Sequence, residues 1–108
     1  MNFDEYQRDA ARTTDTTRKF PDRLTNAALG LAGEAGEFVD MAKKWLFHGH
    51  VMDDEAAAKE LGDVLWYVAE ACTVLGLDLE DVAERNIAKL RARYPDGFSE
   101  ERSRNRTD

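Results

Sequence analysis

Gly30-Leu31-Ala32-Gly33-Glu34-Ala35-Gly36-Glu37-Phe38-Val39-Asp40, read together with Lys59-Glu60-Leu61-Gly62-Asp63, decides how this chain folds. Each stretch holds two carboxylates three residues apart, Glu34 with Glu37 and Glu60 with Asp63, inside a segment whose apolar residues recur with helical period. Residues three apart on a helix project from neighbouring points of one face. Twenty-two residues separate Glu37 from Glu60, enough to finish one helix, turn and return antiparallel. The four acids then face one another across a helix pair. Two carboxylates about 5 Å apart repel by roughly 3 kcal/mol at an effective dielectric of about 20. Either some of them hold protons or a cation sits among them. All-oxygen ligands, with no Cys or His at ligand spacing, favour a hard ion, Mg²⁺ or Mn²⁺. Two solvated acidic faces are the plainer alternative. Two such pairs at hairpin spacing, beside Gly33, Gly36 and Gly62, weigh against it.

The composition sets the frame. A chain of 108 residues, 43% hydrophobic and 34% charged, is one globular domain of cytoplasmic type. No apolar run approaches the ~20 residues of a membrane span, and the acidic start Met1-Asn2-Phe3-Asp4-Glu5 lacks the pattern of a signal peptide. The single Cys72 excludes an intrachain disulfide and a cysteine zinc site, and reads as a small core residue. A net charge of −7 argues against a nucleic-acid polymer as partner. It leaves room for a nucleotide that arrives with its own Mg²⁺.

Four helices follow from the patterning, and no strand pattern competes. The first spans residues 2–19, weakened in its second half by Thr13, Thr14, Thr16 and Thr17. Pro21 and Asp22 mark a turn, with Asp22 as N-cap of a second helix over 23–47. There Leu24, Ala28, Leu31, Ala35, Phe38, Ala42 and Trp45 form a 4-3 seam suited to bundle packing. Gly49 closes that helix with a left-handed cap. Asp53 or Asp54 caps a third helix, 54–75, which ends at Gly76. Its apolar arc is wider than one partner needs, so a second subunit is expected against it. Asp78 caps a fourth helix, 79–94, with Leu79, Val82, Ala83, Ile87, Leu90 and Tyr94 facing inward and Asn86, Lys89 and Arg93 on another side. Residues 1–98 thus form one helical domain, and residues 99–108 read as a polar, mobile tail.

Three segments carry a resemblance: Leu29 to Glu37, then Lys59-Glu60-Leu61-Gly62-Asp63-Val64-Leu65-Trp66-Tyr67, then Asn86-Ile87-Ala88-Lys89-Leu90-Arg91-Ala92-Arg93-Tyr94-Pro95. Together they resemble the MazG-type nucleotide pyrophosphohydrolases, the all-α NTP pyrophosphatase superfamily, in its short single-domain branch. The resemblance implies an all-α four-helix bundle assembled as a homodimer or homotetramer. It also implies Mg²⁺-dependent cleavage of a nucleoside triphosphate to monophosphate and pyrophosphate. By the same resemblance Glu34, Glu37, Glu60 and Asp63 are the metal ligands, and Asn86 and Lys89 hold the base, sugar or phosphates. Tyr67 sits where relatives contact the nucleotide. The catalytic base is Glu37 or Glu34.

Softer candidates surround this set. Trp45 and Trp66 stack on a base or pack in the core. Lys43 and Lys44 reach phosphates or form a solvated basic patch. Arg93 clamps phosphate, as the fourth helix does in relatives, or pairs with surface acids. His48 and His50 flank a loop glycine and read as bystanders, and Glu70 as the partner of a basic neighbour. Arg102, Arg104 and Arg106 cover a neighbouring subunit's pocket or belong to the tail. The alternative function is a non-catalytic helical dimer that binds nucleotide or metal in regulation or as an interaction module. A di-iron bundle fails on ligands, since its sites use Glu-x-x-His and the third residue after Glu34 and after Glu60 is an acid.

Overall fold

In the computed structural model, which describes residues 1–107, the chain forms α1 (Phe3–Ala11), α2 (Phe20–Phe47), α3 (Asp54–Leu75), α4 (Leu79–Arg93) and the short α5 (Glu100–Arg104), with no strand among the described residues. The first helix opens on a reciprocal cap. Asn2 Oδ1 accepts from the Glu5 backbone N–H at 2.8 Å, and Asn2 Nδ2 donates to Glu5 Oε1 at 3.2 Å. It ends at Ala11 rather than at residue 19. The threonine-rich segment offers its backbone competing partners: Thr13 Oγ1 donates to the Ala10 carbonyl at 2.8 Å, and Thr17 bonds Asp15 through both its N–H and its hydroxyl.

The second helix starts three residues earlier than its sequence suggests. Lys19 occupies the cap position and Asp22 lies in the first turn, because Pro21 is tolerated where backbone N–H groups have no helical partner. At the far end Gly49 takes φ 72°, and the His50 N–H donates to the Lys44 carbonyl at 3.1 Å. Asp53 caps α3 by accepting from the N–H groups of Glu55 and Ala56, and Gly76, also at φ 72°, ends it. Asp78 holds the cap position of α4 without a side-chain bond. Gln7 of α1 does that work: its Oε1 accepts from the Leu79 N–H at 2.8 Å, and its Nε2 donates to Thr73 Oγ1 and to the Leu77 carbonyl. The C-terminal segment, expected as a loose tail, forms α5 because Ser99 Oγ accepts from the Arg102 N–H. Asp108, the last residue of that expected tail, lies outside the described residues.

The third helix is the axis of the molecule. The second packs along it as a long hairpin, while α1 and α4 pack on α3 and on each other. Among apolar side chains burial is confined to small ones and one leucine, Ala27, Ala69, Cys72 and Leu79, so the four helices do not close around a large common core within one chain. The expected seams are only half covered. Trp45 is 53% exposed, Ala28 and Ala35 face solvent, and Ile87 and Leu90 of α4 stand clear of the core. The radius of gyration is 16.9 Å, against about 13 Å for a compact domain of this length. The accessible surface is 8047 Å², where a compact monomer of this mass exposes about 6,000 Å². Phe47 and Val51, 73% and 91% exposed at the tip of the α2–α3 hairpin, contribute to that excess.

Candidate metal centre

The hairpin places Glu34, midway along α2, opposite Glu60 and Asp63 on α3. One carboxylate oxygen from each of the three lies within 4.8 Å of the others. The Glu34 and Glu60 carboxyl groups lie against each other across the two helices. The close approach of Glu60, followed by partial burial and the charges of Asp63, Glu60 and Glu37, pushes the Glu34 carboxyl above its usual value. Of Glu60, Oε2 is buried and has no hydrogen-bond partner. An orphaned carboxylate oxygen is costly in that state. Three converging hard donors, one of them unsatisfied, fit a hard divalent cation.

Arg23 and Lys44 of α2 are committed to other carboxylates. Arg23 forks onto Glu70, with Nη2 to Oε1 at 2.9 Å and Nε to Oε2 at 3.1 Å, and Thr14 Oγ1 donates to the same carboxylate. Burial raises the Glu70 pKa, but the Arg23 and Thr14 bonds outweigh it and hold the group below its usual range. Glu70 therefore has the basic partner its sequence suggests and belongs to the scaffold. Lys44 bonds Asp40 at 2.8 Å, and Lys43 approaches the same carboxylate at 3.8 Å. Among the described residues no Lys, Arg or His pairs with Glu34, Glu60 or Asp63.

Glu37 stands one turn further along α2, exposed and outside the three-oxygen group, where its charge acts on both Glu34 and Lys44. Beside the cluster lies a cavity of about 320 Å³ lined by Glu34, Asp63, Trp66 and Tyr67. The two rings meet edge to face at 5.0 Å, and Trp66 Nε1 donates to Thr13 Oγ1 at 2.9 Å, which ties this wall to the α1–α2 connection. Tyr67 lies so close over Gly30 that a Cβ built there would clash with three carbons of its ring. Close approach is thus the reason for glycine at this one of the three α2 positions.

Other sequence candidates lie apart. Trp45 is exposed far along α2 and neither packs in the core nor lines the cavity. His48 and His50 are exposed in the α2–α3 connection. Asn86 and Lys89 are exposed on α4 and do not line the acidic cavity, while Arg93 lines a separate one between α4 and α5. Sequence reading missed three participants. Tyr6 is held near the cluster, its phenol pushed up by burial and then by the charge of Asp63. Thr13 and Thr14 anchor Trp66 and Glu70. Their signal was present only as a run of threonines that breaks α1.

Comparison with known proteins agrees with this geometry. Residues 22–98 match the family model described as the MazG nucleotide pyrophosphohydrolase domain. The chain is 40% identical over 80 residues to the "Gene 37 protein" of Mycobacterium phage L5, an alignment covering 68% of each protein. No solved structure matches it.

Proposed function

Since the chain belongs to the MazG nucleotide pyrophosphohydrolase family, we propose that it hydrolyses a nucleoside or deoxynucleoside triphosphate to the monophosphate and pyrophosphate, with Mg²⁺ (or Mn²⁺) as cofactor, in control of the cytoplasmic nucleotide pool. The observation that carries the reading is the buried, unpartnered Oε2 of Glu60 among three converging carboxylates, next to an aromatic-walled cavity.

Glu34, Glu60 and Asp63 hold the cation, and Glu37 completes the set from the next turn of α2. Magnesium bound there neutralises phosphate charge and acidifies water. The chain's own residues do the rest. The exposed Glu37 carboxylate, least engaged by its neighbours, accepts the proton of the attacking water. Attack at the α-phosphorus breaks the anhydride bond and pyrophosphate leaves. Tyr67 and Trp66 wall the cavity for the base or sugar, and their rigid mutual packing fixes that surface before substrate arrives. The excess exposed surface and half-covered seams support assembly as a homodimer or homotetramer. In such an assembly Asn86, Lys89 and Arg93 of α4 meet substrate held by a neighbouring copy. Lys44 joins them once phosphate competes with Asp40.

The test is pyrophosphate release from a panel of NTPs and dNTPs with Mg²⁺, products resolved by chromatography. Monophosphate and pyrophosphate from at least one nucleotide are expected. Saturable nucleotide or metal binding without turnover of any of them would assign the chain to a non-catalytic regulatory dimer instead.

A further inference from the structure

A second cavity, larger than the acidic one, lies elsewhere in the molecule. It has a volume of about 530 Å³ and lies where α5 folds back on the end of α4, lined by Arg93, Arg102 and Arg106 with Asn105, Thr107 and one acid, Glu101. Three guanidinium groups around one hollow are conspicuous on a chain of net charge −7. Guanidinium is the side chain best shaped to hold phosphate oxygens, two at a time. Arg104, between the two tail arginines in sequence, pairs with Glu100 at 3.9 Å and does not line the hollow.

The acidic cavity has the opposite deficit. It is lined by two carboxylates and two aromatic rings, with no basic side chain on its wall, and Arg23 and Lys44 of α2 are engaged by Glu70 and Asp40. On that wall nothing balances the charge that builds on departing pyrophosphate. Within one chain the two cavities share no lining residue, and α5 makes no substantial packing with α2 or α3. The chain also exposes about 2,000 Å² beyond a compact monomer of its mass, an area of the size that obligate homodimers bury. A two-fold contact would present each copy's basic hollow to the other equally.

We propose that Arg102 and Arg106 of one copy grip the phosphate chain of the nucleotide held at the acidic cluster of a second copy. This rests on the pyrophosphohydrolase reading and adds which residues complete the site, and from which chain.

The experiment uses two full-length variants, Glu60→Gln and the double variant Arg102→Ala/Arg106→Ala, with Arg104→Ala as control. Each chain is checked for helicity. Both test variants are expected to lose most pyrophosphate release, the arginine variant also binding a non-hydrolysable triphosphate analogue about tenfold more weakly in Mg²⁺, while Arg104→Ala behaves as the unaltered chain. Co-expressed under different tags and purified as a hetero-oligomer, the two defective chains are expected to recover about half the unaltered activity, since one of each pair of sites then draws both halves from intact sources. One tight analogue site per pair of chains should accompany it. Activity no higher than the mean of the two parents would show the arginines acting within their own chain and overturn the proposal. So would an arginine variant with unaltered turnover and affinity. An unaltered chain inactive toward every nucleotide would remove the pyrophosphohydrolase reading itself. Analogue binding then decides the arginines alone, one tight site per hetero-oligomer supporting their role and unchanged affinity in the arginine variant ending it.

Discussion

The carboxyl groups of Glu34 and Glu60 converge across the α2–α3 interface, with Asp63 in reach of both. Their mutual repulsion, with Glu60 Oε2 buried and unpartnered, is relieved by a divalent cation. Magnesium should therefore stabilise the fold, by about 2.7 kcal/mol at a concentration one hundred times its dissociation constant, which raises the melting temperature by roughly ten degrees. Glu60→Gln should abolish this response and the activity together. Calorimetric melting with and without Mg²⁺ checks it, and an unchanged response in the variant would remove Glu60 from the ligand set.

Glu37 separates base from ligand. If it takes the proton from water, Glu37→Gln should lower kcat by about 10²–10⁴ while the melting response to Mg²⁺ stays near that of the unaltered chain. Loss of both would make Glu37 chiefly a ligand.

The Arg23–Glu70 fork sets the acid limit of the fold. Because the folded pKa of Glu70 is depressed, its contribution is complete above the unfolded carboxylate value near 4.5 and fades as pH falls through the lower folded value. Glu34 has the opposite sign. Its raised pKa favours the metal-free fold in acid, and that contribution is lost as pH rises through the folded value. Glu70→Gln, which leaves Arg23 without its counter-charge, should cost about 3 kcal/mol near neutrality and flatten the fall in stability below pH 4.5. Denaturant titrations across pH measure both.

Gly30 carries a prediction of unusual sign. Gly→Ala in a helix interior ordinarily gains about 1 kcal/mol. At Gly30 the new methyl would displace the Tyr67 ring, so Gly30→Ala should destabilise by about 1–3 kcal/mol and raise KM. Gly33 and Gly36 have nothing within 4 Å of a built Cβ. Alanine there should stabilise, unless a second copy packs on that face, in which case it weakens association. Melting temperature against protein concentration separates the two.

Gln7→Ala removes three bonds that tie α1 to the α3–α4 connection, including the one that caps α4. A loss of about 2–3 kcal/mol follows. Hydrogen exchange should accelerate first at Leu79 and in the opening turn of α4.

Most of this fold was legible in the order of residues, and for physical reasons. The bounds of α3 and the end of α2 rest on local chemistry, at Asp53, Gly49 and Gly76, so a local reading finds them. So does the facing of Glu34 with Glu60 and Asp63, because hairpin length and helical period decide it. What escaped depends on distant partners. Asp78 looks like a cap until Gln7, more than seventy residues earlier, takes its place. Thr13 and Thr14 read only as weak helix formers, since Trp66 and Glu70 lie on another helix. The exposed half of each seam, Trp45 on α2 and Ile87 on α4, carries a bundle pattern whose partner surface is absent from a single chain.

The docking of α1 has a consequence for synthesis. This helix leaves the ribosome first, yet its anchors at Thr73, Leu77 and Leu79 are made 66 to 72 residues later. At about 5–20 residues per second it waits roughly four to fourteen seconds, and a nine-residue helix is marginal alone in water. The first helix therefore waits for a seat that the α2–α3 hairpin, built from neighbours in sequence, does not need.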